Sequence, residues 1–309
     1  MSSQAGRTFH NTTAPYPLPN DEPEHVRLEK QGTGLTRLMH GRIVHVPLIP
    51  SVISNVLDIG CGTGQVTKQL GRQYPRADVY GLDISDVPDR FGQKPPNVEF
   101  VKDDIFKLNI GADERFEPES FDFCWSRLMM SGIPDWPHYF GIQSDLLKPG
   151  GWVESQEVDF FYFFDREGRP FEKDWYWFEV LRDGRIGRKF DMSAGSNVPK
   201  YMEEAGFVDI KTYDYVWPCK PWSERPETIP LGEYSAAYMP MVLYFFVAKE
   251  LVGMGYTENK LTKLRERIRE DLMSEEGLHF KFKVSIGRKP FETEREEQGY
   301  HERRRPSLR

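Results

Sequence analysis

Short apolar runs that end in acid or glycine recur along the first half of the chain, and stretches with helical spacing follow them. Val56, Leu57 and Ile59 make the first run, interrupted by Asp58 and closed by Gly60. A run of that length is of buried-strand type. Beyond the glycines, Val66, Leu70 and Tyr74 recur every four residues and Pro75 follows, which predicts a helix over 65–74 with one packed face. Further strands are predicted over 79–83, 97–105, 121–125 and 152–157. Before the last of these, Asp135 caps a helix with Pro137 in its first turn, and Lys148-Pro149-Gly150-Gly151 ends it. A helix over 197–205 closed by Gly206 leads to a sixth strand over 207–210, and alternating Phe280, Phe282, Val284 and Ile286 mark a seventh over 279–286. Strands alternating with helices predict an α/β fold built on a doubly wound, mostly parallel seven-stranded sheet.

Other segments complete the outline. Residues 1–14 are polar and predicted to be disordered, and prolines at 15, 17, 19 and 23 predict an extended stretch. A helix from about Glu24 would carry Leu28, Leu35, Leu38 and Met39 on one face, weakened by Gly32 and Gly34. The interval 217–277 is too long for a hairpin loop. Its Tyr244-Phe245-Phe246 cluster and a helix over 260–270 predict a lid. The apolar run 241–248 is too short to span a bilayer and reads as a buried or lid helix. Residues 291–309 form a charged tail.

Chemistry enters at the first glycine turn. Residues 55–64 read N-V-L-D-I-G-C-G-T-G, so Gly60, Gly62 and Gly64 fall as G-x-G-x-G. The G-x-G-x-x-G spacing that aims a helix at a pyrophosphate is absent here. Bare backbone at these glycines, and at Cys61 through its main chain, lets a ligand approach closely. A tight strand-to-helix turn can also need glycines for geometry alone. Asp58, two residues ahead of the first glycine, is awkward beside a phosphate but suits a ligand with an ammonium group, of which S-adenosylmethionine is one. Asp83, followed by Ile84, ends the second strand where an acid reaches a ribose diol. Such charge-assisted bonds are worth about 1.5–3 kcal/mol each. Asp103 and Asp104 end the third strand; Asp104 is placed to accept from an adenine amino group, and the Ile105 N–H to donate to the ring. The competing reading makes these acids helix caps. Three successive acid-tipped strands at one edge favour a ligand crevice.

Residues 55–85, with L-D-I-S after Gly81, P-P-N-V-E-F from Pro95 and L-K-P-G-G-W-V-E-S-Q-E from Leu147, resemble class I S-adenosylmethionine-dependent methyltransferases. More narrowly, they resemble the LaeA-like branch of filamentous fungi. Y-P-L-P-N-D-E-P-E from Tyr16, G-R-I-V-H-V-P-L-I-P from Gly41, D-W-P from Asp135 and G-R-K-P from Gly287 are similar too. The likeness covers residues 15–290, one methyltransferase domain with its lid, and is loose over 160–277. It implies a Rossmann-like methyltransferase fold whose N-terminal segment lies over the cofactor mouth, with Tyr16 and Arg27 as candidates there. Arg27 is chosen because a guanidinium can grip a carboxylate with two bonds; a solvated helix charge is the alternative. The resemblance also sets Ser126 and Arg127, at the tip of the fourth strand, beside the methionine moiety and the acceptor. The family tends to carry a His soon after the Arg-Leu pair, whereas here Gln31 is followed by Gly32, so no role is carried over for it.

The activity implied is methyl transfer from S-adenosylmethionine to a small-molecule acceptor, in fungal secondary metabolism. Gln156, Glu157 and Asp159 run into an aromatic wall over 160–164, where Glu157 could take a proton from the acceptor. Solvated acids at a strand end are the equal alternative. Trp175 and Tyr244, from the aromatic second half, are further acceptor candidates. His40, His45 and His138 read as structural or surface histidines. A regulatory protein acting through nuclear protein partners is the other functional reading, and Arg303-Arg304-Arg305 the motif that would serve it.

Composition trims the remaining options. With 41 Lys and Arg against 48 Asp and Glu, the net charge of −7 argues against a nucleic-acid surface. Cys61, Cys124 and Cys219 are scattered and odd in number, so neither a zinc site nor a disulfide framework is supported. A reducing, cytosolic setting with no metal and no membrane is the expectation.

Overall fold

A computed structural model describes residues 7–9, 17–89, 91–171, 173–183 and 189–294. Tyr16, most of the predicted disordered start and the tail beyond Glu294 lie outside the described residues. Five parallel strands form one side of a seven-stranded sheet: β1 (Asn55–Ile59), β2 (Asp78–Asp83), β3 (Val98–Lys102), β4 (Phe121–Arg127) and β5 (Leu147–Phe164). The sixth, β6 (Val208–Pro218), lies at the far edge, and antiparallel β7 (His279–Arg288) is inserted between β5 and β6. Their order is β3-β2-β1-β4-β5-β7-β6. The direction of winding reverses between β1 and β4, so the loops leaving those two strands diverge and open a crevice at their carboxyl ends.

The helices are α1 (Glu22–Leu38), α2 (Gln65–Gln73), α3 (Trp136–Leu146), α4 (Tyr176–Asp183), α5 (Ala194–Glu204), α6 (Ile229–Gly253) and α7 (Glu258–Leu272). Strand alternation sorts side chains between the two faces. Asp58 on β1 bonds Thr67 of α2, whereas Ser126 on β4 sits beside Tyr139 of α3 on the opposite face.

Three differences from the expected elements bear on the site. In β5, Phe163 and Phe164 pair with Phe280 and His279 of β7 after a register shift, so much of the supposed aromatic wall is strand. In β6, alternation continues to Trp217, opposite Phe280, and the insertion therefore begins after Pro218. The third is α1, which is unbroken and starts on Asp21, whose carboxylate accepts the Glu24 N–H at 3.1 Å. Its glycines mark close approaches: a Cβ on Gly32 would collide with Gln65 Oε1, and one on Gly34 would stand 3.1 Å from Leu231 Cα. Docking against α2 and α6 offsets their weak helix propensity.

The helical insertion is α6 and α7. Among the described residues, the segment Pro226–Gly253 is long and apolar enough to cross a membrane by length and composition. Here Leu231, Tyr234, Leu243, Val247 and Leu251 of this helix are buried, and it packs against α1, α4 and α7.

Candidate cofactor site

Backbone hydrogen bonds shape the turn after β1. Gly60, Gly62 and Gly64 adopt φ of 71°, 56° and 71°, which an L side chain rarely tolerates. The Gly60 and Cys61 N–H groups both donate to Leu82 O, at 2.8 and 3.1 Å, joining the turn to the end of β2. Asp83 then closes the loop: Oδ2 accepts the Gly62 N–H at 2.9 Å and Oδ1 the Ser85 N–H at 2.9 Å. Burial pushes the Asp83 carboxyl up, and these two donors oppose the shift. A Cβ at Gly62 would meet only Leu28 Cδ1, at 3.7 Å, so the space in front of this backbone is open.

That space is a cavity of about 230 Å³. Its floor is the tips of β1, β2 and β4, and α1 and α6 cover it. Asp58, Gly60, Cys61, Gly62, Asp83 and Ile84 line it, as do Asp103, Asp104 and Ile105 beyond β3 and Arg127 at the end of β4. Asp58 is fully buried; Oδ2 accepts from the Thr67 hydroxyl at 2.5 Å while Oδ1 has no partner. Burial pushes this carboxyl up to about 7, against the Thr67 bond and the positive charge of Arg127. Arg127 Nη1 is likewise buried without a partner, and burial lowers the guanidinium to about 10. Asp104 is partly engaged: Oδ1 accepts the Phe106 N–H at 3.1 Å and Oδ2 pairs with Lys107 at 3.0 Å. The Cys61 thiol is pushed up by burial, and the residue joins the cavity as part of the turn.

Several predicted residues serve other purposes. Arg27 does line the cavity, but its guanidinium is tied to the Glu24 carboxylate through Nε and Nη2 and to the Tyr234 hydroxyl through Nη1. That corrects its assignment to a ligand carboxylate. Gly64 is turned into the fold, where a Cβ would stand 2.5 Å from the Phe100 ring, and it serves the entry to α2. Ser126 faces α3 because it alternates with Arg127. Gln156 is buried and donates to Ile43 O and Glu154. Glu157 is off the cavity: its carboxylate accepts the Met129 and Met130 N–H groups at 2.8 and 3.3 Å. Asp159 accepts the Ser196 N–H and hydroxyl at 2.8 and 2.6 Å, at the start of α5. Trp175 is core, stacked on Trp177 and edge-on to Phe163. Tyr244 packs against Phe245 away from the cavity.

Most other lining residues went unpredicted, although Phe246 belongs to the expected lid cluster and Phe160 to the expected aromatic wall. Gln31 faces in from α1, and its Nε2 donates to Tyr234 at 2.9 Å. Met239, Val242 and Phe246 project from α6 over Met129, Phe160 and Trp217. The spacing of 239, 242 and 246 is that of one helix face, a signal the sequence did carry. Among the described residues, no three His, Cys, Asp or Glu side chains gather as metal ligands.

Comparison with known proteins shows the family of the chain. Residues 18–212 match the family model described as a methyltransferase domain. The methyltransferase pytC of Aspergillus terreus is 30% identical over 294 residues, covering 93% of this chain and 87% of pytC. The secondary metabolism regulator laeA of Coprinopsis cinerea is 31% identical over 69% of this chain and 55% of its own length. Methyltransferase str2 of Strobilurus tenacellus is 31% identical over 49% of this chain and 52% of its own. A solved geranyl diphosphate methyltransferase in complex with S-adenosylmethionine is 15% identical, with a TM-score of 0.49 over 88% of this chain and 92% of that one. The chain belongs to the S-adenosylmethionine-dependent methyltransferase family.

Proposed function

We propose that the protein methylates a small-molecule acceptor of fungal secondary metabolism in the cavity between the strand tips and α6. The observation that carries this reading is the pair of buried groups without partners, Asp58 Oδ1 and Arg127 Nη1, on one cavity. A buried carboxylate and a buried guanidinium left open are matched by a zwitterion, and an amino-acid head supplies both charges. The residues present therefore fit the cofactor: Arg127 for its carboxylate, Asp58 for its ammonium, Asp83 for its ribose, and Asp104 with the Ile105 N–H for its adenine. The bound cofactor supplies a methyl group already made electrophilic by the sulfonium.

What remains for the chain is binding, alignment and exclusion of water. Holding reactants in line can supply about 7–11 kcal/mol in favourable intramolecular models. Phe160, Trp217, Met239, Val242 and Phe246 make the other side of the cavity apolar, which suits an apolar acceptor and keeps water out. We take α6 as the lid over it, with α7 packed on α6 away from the cavity, and the cytosol as its setting, which imaging of the tagged chain tests. Calorimetric titration of cofactor-free protein with S-adenosylhomocysteine tests the central reading, and a flat titration would end it.

A further inference from the structure

We propose that Glu157 is a positioning residue, whose ionised carboxylate clamps the Met129 and Met130 backbone and so fixes one wall of the cofactor cavity. The inference rests on the methyltransferase reading of that cavity. Glu157 is 1% exposed, and its two oxygens take the Met129 and Met130 N–H groups at 2.8 and 3.3 Å. Both amides belong to the turn leaving β4, in which Met129, Met130 and Ser131 line the cavity. The turn is demanding. Leu128 sits at φ 56°, held by its N–H to Gln156 O at 2.9 Å, and the Met129 side chain presses on Gly60 where a Cβ would collide with its sulfur. Without the carboxylate, two amide donors in this wall lose their acceptors, and Met129 is freed from the glycine turn.

The clamp depends on charge. A carboxylate accepts both amides as an anion, whereas a protonated carboxyl gives up one acceptor site. Burial pushes Glu157 up to about 8, the two amides opposing. The groups around it do not neutralise it. Asp159 on β5 and Asp191 ahead of α5 raise it further, and Tyr139 on α3 is neutral at these pH values. Lys283, opposite on β7, is turned to Asp214 of β6 at 2.9 Å. Ligand affinity should therefore rise as pH climbs through the Glu157 range.

The test is titration of the full chain with S-adenosylhomocysteine between about pH 6.5 and 9.5, wild type beside Glu157→Gln. Wild type should gain roughly tenfold or more in affinity across pH 8, the value of about one charged hydrogen bond. Glu157→Gln should bind more weakly above pH 8 and lose that rise, while keeping the lower one near pH 7 that Asp58 contributes. Matching profiles for the two proteins would overturn the proposal. Should the variant not fold, amide hydrogen exchange over 128–133 in wild type decides: corrected for base catalysis, it should be faster below pH 8, and equal rates overturn the clamp. Wild type that binds no ligand at any pH refutes the methyltransferase reading instead, and exchange still judges the clamp.

Discussion

Acids at the ends of β1 to β3 and acids along β5 look alike in the sequence but have opposite fates. At the first edge, Asp83 is held by two backbone donors on short loops, and Asp58 keeps one oxygen without a partner at the cavity. Along β5, internal partners use the carboxylates up. Glu154 accepts the His45 and Val46 N–H groups at 2.6 and 3.2 Å, faces His45 Nδ1 at 3.1 Å and takes a bond from Gln156. Glu157 and Asp159 each hold backbone N–H groups of another segment. What separates the two groups is place. Asp58 and Asp83 face the cavity, where Asp58 keeps an open oxygen and each Asp83 oxygen has a further lone pair. The β5 acids lie off the cavity and are bonded to other segments of the fold.

The largest way to break that contrast is Glu154→Ala. It leaves His45 and two backbone donors without their acceptor in the core, and removing one partner of such a buried network costs about 3–5 kcal/mol. Chemical denaturation should show that loss, while the folded fraction binds S-adenosylhomocysteine as wild type does. Lost affinity at unchanged stability would contradict the division of labour. The converse change, Asp83→Ala, removes two charge-assisted bonds to the ribose hydroxyls and should weaken binding about a hundredfold or more. Its stability loss should be smaller than that of Glu154→Ala.

Asp58→Asn sharpens the comparison through pH. The Asp58 carboxyl is raised from 3.8 to about 7 by burial, so the ligand-free fold favours its protonated form. Its contribution to stability is present below the unfolded value near pH 4 and lost as pH rises to about 7. Asp83 and Glu157 are shifted in the same direction. Ligand-free wild type should therefore lose stability between about pH 5 and 8, and Asp58→Asn should flatten part of that slope, by about 2 kcal/mol. Binding runs the other way, because an ammonium needs the ionised acid. Thermal scans with and without S-adenosylhomocysteine across this range separate the two effects.

The cavity edge was legible because its signal is local. Glycines at 60 and 62 and acids at 58, 83 and 104 each lie within a few residues of the strand end that positions them. The β5 acids were not legible, because their partners are remote: His45 is 109 positions from Glu154, and Ser196 is 37 from Asp159. Arg27 misled for a similar reason. Glu24, three residues back, was readable as a partner, but Tyr234 comes from α6, 207 positions away. Ser126 is a different error: it alternates with Arg127 on β4, so both could not face one cavity. The seven strands came through because period-two and four-residue spacings mark strands and helices directly, while the place of β7 between β5 and β6, and the ends of those two strands, depended on remote pairing.

The smallest expected effect belongs to Asp159→Ala. The side chain lies off the cavity and accepts the N–H and hydroxyl of Ser196, in the first turn of α5. Loss of such a cap costs about 1 kcal/mol, and a carboxylate at that end also complements the helix dipole. The midpoint of thermal unfolding should fall by about 2 °C. Affinity for S-adenosylhomocysteine and turnover of any acceptor should stay within about twofold, since α5 touches the cavity only through the sheet. Asp159→Asn separates the cap from the charge, because the amide carbonyl can still accept one of the two bonds and recover part of the stability. Turnover that drops in both variants at unchanged melting temperature would return Asp159 to the acceptor side and erase the distinction between the two groups of acids.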